Sequence, residues 1–155
     1  MEQASVIHNT FTLERHYPAA PHRVFKAFSD PAQKRRWIGA GEHNETELFE
    51  LDFRVGGNER VYTRFGPQSP FPGAILAREA SHFNIVPDRR VVIASSMTLA
   101  GKCISVSLET FELLPEGEGT NLVLTHQAAF FEGADGPEMR KDGWEKLLTR
   151  IETLF

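Results

Sequence analysis

The chain has 155 residues, 41% apolar and 25% charged, with a net charge of -4 and a single cysteine. That length supports one hydrophobic core without disulfide help, and no window approaches the roughly 18 uninterrupted apolar residues of a membrane span, so one soluble domain over residues 1–155 is expected. The acidic balance argues against nucleic acid and anionic membrane surfaces as partners, because both need Lys and Arg in excess on one face.

The opening "MEQASVIHNT" has no basic stretch followed by an apolar one, so it does not read as a secretory signal and the cytoplasm is the expected compartment. "FTLERHY", Phe11 to Tyr17, alternates apolar and polar residues as a half-buried strand does. "HRVFKAF" follows, with Pro21 suited to a first helical turn and Val24, Phe25 and Phe28 at helical spacing. "SDPAQKRRW" reads as a second short helix in which Asp30 caps, Pro31 takes the first helical position and Gln33 supplies the amide of a capping box. The basic run Lys34 to Trp37 reads as a solvated face.

From Glu47 the periodicity is two for about eighty residues, the pattern of an antiparallel meander. Strands are expected over Glu47 to Val55, Glu59 to Phe65, Gly73 to Phe83, Arg90 to Thr98, Lys102 to Leu114 and Thr120 to Gln127, separated by turn-rich breaks. Gly56 and Gly57 in "DFRVGGNERVYTRFG" do not open onto a helix, so they are a turn and not a phosphate cradle. A three-residue loop, Gly56-Gly57-Asn58, with a left-handed glycine would align Phe49, Leu51 and Phe53 with Phe65, Thr63 and Val61, and Glu50 with Arg64. Cys103 has strand-like neighbours and reads as a structural residue, a small hydrophobe. The last stretch, "EMRKDGWEKLLTRIETLF", returns to helical spacing and sets Trp144, Leu147, Leu148, Ile151, Leu154 and Phe155 on one stripe. Each large member contributes about 1.5 to 3 kcal/mol on full burial. The helix therefore has to cover an apolar face of the sheet. The result is an α+β fold, a curved antiparallel sheet of about seven strands with the last helix across it and a cavity between them.

The segments "ERHYPAAPHRVFKAFSDPAQKRRWIG", "DFRVGGNERV", "GAILAREASHFNIVPDRRVV", "ETFELLPEGEGTNLVLTHQAAF" and "DGWEKLLTRIETLF" together resemble the AHSA family, relatives of the activator of the heat-shock-protein-90 ATPase. The resemblance implies the helix-grip fold of the START-like, or SRPBCC, superfamily, with a deep and largely apolar pocket between sheet and C-terminal helix. The co-chaperone that names the family has a further N-terminal domain for which this length leaves no room, so chaperone activation is not implied.

Among candidate chemical groups, no two of the six histidines show a metal-ligand spacing, no cofactor motif is present, and no serine-hydrolase elbow surrounds Ala94 to Ser96. His126 shares strand parity with Leu122 and Leu124, so it faces the same side and could bind or deprotonate a ligand there. Glu109 and Glu112 have opposite parity, so at most one points inward. Pocket walls are mostly apolar. The candidate ligand-binding residues are therefore Trp37, Phe53, Val61, Phe65, Ile93, Ser95, Phe111, His126, Trp144 and Leu148. The expected function is binding of an apolar or amphipathic small molecule. A cyclase-like or hydrolytic enzyme using the same pocket is the second reading, and association with a chaperone or with a second copy as a homodimer is the third.

Overall fold

The computed structural model describes residues 5–155, in the order β1 (Ile7–Tyr17), α1 (Pro21–Ser29), α2 (Pro31–Ile38), β2 (Glu45–Leu51), β3 (Asn58–Arg64), β4 (Ile75–Val86), β5 (Arg90–Leu99), β6 (Lys102–Glu116), β7 (Gly119–Phe130) and α3 (Pro137–Glu152). Among the described residues the strands form one antiparallel sheet in the order β1-β7-β6-β5-β4-β3-β2, in which the β1–β7 pairing joins strands distant in sequence. This is the helix-grip architecture that the resemblance implies. No helix among the described residues is long and apolar enough to cross a membrane.

The helices start and stop where local chemistry dictates. Pro21 and Pro31 each occupy a first helical turn, where the missing N–H costs nothing. The Asp30 side chain accepts from the Ala32 N–H at 3.3 Å while its own N–H closes α1 on the Lys26 carbonyl. That N–H is therefore already satisfied, and the expected capping box with Gln33 is not needed. α3 is tied down along its length. The Tyr17 hydroxyl donates to the Leu148 carbonyl at 2.7 Å, Arg15 reaches Thr149 and the Glu145 carbonyl, and Arg150 donates to the Trp37 and Gly39 carbonyls. Trp144, Leu148 and Ile151 are buried against the sheet, with Leu147, Leu154 and Phe155 packed at the margin.

The β2–β3 hairpin departs from the expected register. Phe49 pairs with Val61, Glu50 with Arg60 and Leu51 with Glu59, so β2 ends at Leu51 and residues 52–57 form the connection. Phe53 therefore lies outside the ladder, and Phe65 lies just past the end of β3. The reason is that the glycines pair with β4 and not with β2. The Gly56 N–H donates to the His82 carbonyl at 2.8 Å, and the His82 N–H donates to the Gly57 carbonyl at 3.0 Å. Gly56 is left-handed (φ 83), as expected, but Gly57 has the stronger constraint. A Cβ there would stand 2.1 Å from the Asp52 carbonyl oxygen, whereas one on Gly56 meets nothing within 4 Å. Gly57→Ala is expected to cost about 2–3 kcal/mol through that backbone clash, and Gly56→Ala about 1 kcal/mol through its dihedral alone. Urea unfolding of the two variants separates them, and equal costs would contradict this account of the loop.

Two further expectations are corrected. Cys103 is exposed on β6, not a small buried hydrophobe, because the pairing with β5 skips Ile104, so that Cys103 no longer shares the inward row of Ser105 and Ser107. Lys34 is not part of a solvated face. It is 1% exposed, while its neighbours Arg35 and Arg36 are exposed.

Candidate functional site

The concave face of the sheet carries a row of small side chains. Ala80 on β4 pairs with Ser95 on β5, Ser95 with Ser107 on β6, and Ser107 with Ala128 on β7. Side chains this short leave room above the sheet. Charged groups fill it, in a layer beneath α3 made by Lys34, Glu59, Arg78 and Glu109, none more than 6% exposed.

Each member reaches the interior by ordinary periodicity. Lys34 shares a helix face with Trp37 and Ile38, three and four residues on. Glu59 has the parity of Val61, Arg78 that of Ala80, and Glu109 that of Phe111. The Arg78 guanidinium bridges the two carboxylates: Nε donates to Glu59 at 2.7 Å, and Nη1 and Nη2 donate to the two oxygens of Glu109 at 2.8 and 2.7 Å. The Ser95 hydroxyl adds a bond to Glu109 at 2.9 Å. Lys34 Nζ lies 3.0 Å from Glu59 Oε1 and forms an ion pair with it. The same ammonium sits 4.5 Å from the centre of the Trp37 ring.

The charge states follow from this geometry. Burial alone would raise the Glu59 carboxyl, but Lys34 and Arg78 overcome it and hold it at about 2. Burial also works against Glu109, and Arg78 again wins and keeps it below the ordinary range. Burial opposes the Arg78 charge, yet Glu109 and Glu59 hold its proton more tightly than usual. Burial pulls the Lys34 ammonium below its ordinary value against the attraction of Glu59. The layer is two cations and two carboxylates, all buried.

His126 stands beside Glu109 in the β6–β7 ladder and is 0% exposed. Its ring lies flat on Phe11, with centroids 4.5 Å apart and planes 13° apart, and 6.3 Å from the Trp144 ring. Among the described residues, neither ring nitrogen has a hydrogen-bond partner. Burial, opposed by Glu109, pushes the imidazole down to about 4, so it is neutral near physiological pH. At the start of α3, Arg140 is paired with Asp135 and donates to Ser105 at 2.8 Å, fastening the helix over β6.

The ten expected site residues fall into three places. Trp37, Phe111, Trp144 and Leu148 form the wall above and beside the layer, with Trp144 5.7 Å from Phe111 and 6.4 Å from Trp37, ring to ring. Val61, Ile93, Ser95 and His126 belong to the inner face of the sheet, where Val61 pairs with Arg78 and Ile93 with Glu109. Phe53 and Phe65 lie elsewhere. Phe53 packs on Phe25 and His82 under α1, at 5.5 and 5.2 Å, and Phe65 is half-buried at the far end of β3. Lys34, Glu59 and Arg78 were not among the expected residues. Their parity points inward, but the basic run containing Lys34 reads as a solvated face, and nothing in the local spacing marks Glu59 or Arg78. A shallow groove of about 470 Å³ opens on the convex side, over the outward rows of β1, β5, β6 and β7, along His8, Thr10, Ala94, Val106, Leu108, Gln127 and Ala129, and it also touches Asn9, Ser107 and Ala128 of the inward rows.

Comparison with known proteins gives a consistent picture. The family model described as Activator of Hsp90 ATPase homolog 1-like protein matches residues 18–155. Among solved structures, the chain is similar to the Mll3558 protein of Rhizobium loti, with 41% identity, 98% of this chain and 100% of that one covered, and a TM-score of 0.87. It is similar as well to an uncharacterised protein of Rhizobium leguminosarum, with 35% identity, 97% and 95% covered, and a TM-score of 0.89. Protein CV1439 of Chromobacterium violaceum follows at 26% identity, 94% and 96% covered, and a TM-score of 0.78. No curated protein matches.

Proposed function

The chain belongs to the family of Activator of Hsp90 ATPase homolog 1-like proteins, and from that membership and the buried polar layer we propose that it binds one amphipathic small molecule between sheet and α3. The observation that carries this is the placement of four charged side chains and an unpartnered imidazole in the space that the fold encloses. Ion pairs of this depth add little net stability over apolar residues of similar volume, so folding alone gives no reason to keep them. The unpartnered imidazole at the edge of this layer is suited to recognising the polar part of a ligand, with Trp37, Phe111 and Trp144 receiving the apolar part. The family and the fold support a ligand-binding domain in the same sense. Val61, Ile93, Ser95, His126 and Leu148 complete the proposed lining, and Phe53 and Phe65 are left out of it.

The catalytic reading draws less support. A base needs a partner to orient it, and both oxygens of Glu109, the carboxylate beside His126, are engaged by Arg78 and Ser95.

Titration with Prodan, a neutral dye whose emission shifts with polarity, tests the proposal. Saturable one-to-one binding with blue-shifted emission is expected, and it should be unaffected by Val106→Glu in the convex groove. Unshifted emission throughout the titration, or binding lost with Val106→Glu, would contradict it.

A further inference from the structure

We propose that the corner formed by His126 and Asn9 binds a neutral hydroxyl group, so that the molecule held beneath α3 is an alcohol or phenol on an apolar body. This inference rests on the ligand-binding reading above and names the chemical class. Three buried polar atoms in this corner lack partners among the described residues: Nδ1 and Nε2 of His126 and Oδ1 of Asn9. The register brings them together. Asn9 pairs with Ala128 and Phe11 with His126, so Asn9 and His126 are diagonal neighbours on one face of the β1–β7 ladder. Buried polar atoms are almost always satisfied, and three orphans in one corner mark the place where another molecule supplies the bonds.

The donor and acceptor pattern selects the chemistry. A neutral imidazole offers one N–H and one lone pair, and the Asn9 carbonyl oxygen only accepts. A hydroxyl supplies one proton and two lone pairs, so it can accept from the imidazole N–H and donate to Asn9 Oδ1, satisfying two of the three atoms and leaving the imidazole lone pair unpaired. A carboxylate brings acceptors alone. It would leave Asn9 Oδ1 unsatisfied and would stand near Glu109, which is paired with His126 across the ladder. The two nearby guanidinium groups give it no compensation, because Arg78 is committed to Glu59 and Glu109 and Arg140 to Asp135. The Phe11 ring on one side and Trp144 on another provide apolar surfaces for the body that carries the hydroxyl.

Calorimetric titration of the full chain with naphthol, methylnaphthalene and naphthoate, matched in attachment position, tests this. Naphthol should bind at least about tenfold more tightly than methylnaphthalene, and naphthoate more weakly than either. His126→Leu and Asn9→Leu should each bring naphthol and methylnaphthalene to within about twofold of one another, and His126→Gln, which keeps a donor and an acceptor, should retain part of the preference. Cooperative unfolding of each variant serves as the control for folding. Equal affinity for naphthol and methylnaphthalene, tighter binding of naphthoate, or a preference that survives His126→Leu would overturn the hydroxyl assignment and leave interior binding standing. Failure of all three compounds to bind would overturn both.

Discussion

Replacing Arg78 with methionine is expected to destabilise the protein by about 3–5 kcal/mol near neutral pH, the characteristic cost of removing one partner from a buried ionic group. Arg78 alone donates to both carboxylates of the layer, one bond to Glu59 and two to Glu109. Methionine preserves much of the length and apolar contact but none of the charge. Lys34 remains 3.0 Å from Glu59, so Glu109, left with only the Ser95 hydroxyl, bears most of the loss. The cost should shrink in acid, because an uncompensated buried carboxylate escapes its penalty by taking a proton. The parent behaves in the opposite sense. Glu59 titrates at about 2 in the folded chain against an ordinary 4.5, so its contribution is complete above 4.5 and disappears as pH falls towards 2. Replacing all four charged residues with methionine should restore most of the stability, since a buried ionic cluster and an apolar filling of like volume are nearly equivalent. Urea unfolding followed by tryptophan fluorescence measures both variants. A loss below about 1 kcal/mol for Arg78→Met would contradict the buried, mutually neutralised layer. If the fourfold variant is stable but no longer binds Prodan, the layer is kept for its site and not for the fold.

The second large effect concerns His126, whose replacement by phenylalanine should raise stability by about 1–3 kcal/mol near neutral pH. Phenylalanine keeps the flat contact with Phe11 and removes two buried nitrogens that have no partner. The gain should grow in acid. The unfolded chain takes up a proton at His126 near 6.5, while the folded chain resists until about 4, so the parent loses stability as pH falls through that window. The full loss below the window is on the order of 3 kcal/mol. His82 is likewise held below its ordinary value by burial and titrates in the same direction, so a smaller slope should remain in the variant. His126→Leu serves as a second variant if the larger ring overfills the site. An unchanged pH dependence in both would contradict the burial of a neutral imidazole here.

The architecture was legible because it is written in periodicity. Alternation from Glu47 onward gave the meander, Pro21 and Pro31 opened the two short helices, and the stripe from Trp144 to Ile151 required a covered sheet face. The parity of His126 with Leu122 and Leu124 likewise placed it inside. The charged layer was not legible, because a lysine in a basic run and a glutamate beside an arginine are solvated in most sequences. What makes Lys34 and Glu59 exceptional is partners brought by other elements, Glu59 from β3 for Lys34 and Arg78 from β4 for Glu59, and spacing within a segment does not report such partners. The hairpin register failed for a similar reason. The loop was judged against β2 and β3 alone, whereas Gly56 and Gly57 bond to His82 on β4, and that third strand decides where pairing begins. Phe53 was assigned to the inner row on that register and lies under α1 instead.

Where the small molecule binds is the central claim, and methyl signals report it most directly. Ala80 and Ile93 carry methyl groups on the concave face, while Ala94, Ala129, Val106 and Leu108 border the convex groove. Nuclear magnetic resonance spectra of the methyl groups, recorded with and without saturating Prodan, should show Ala80 and Ile93 shifted and the convex set unmoved. Shifts confined to Ala94, Ala129, Val106 and Leu108 would place the ligand on the opposite face and contradict the account.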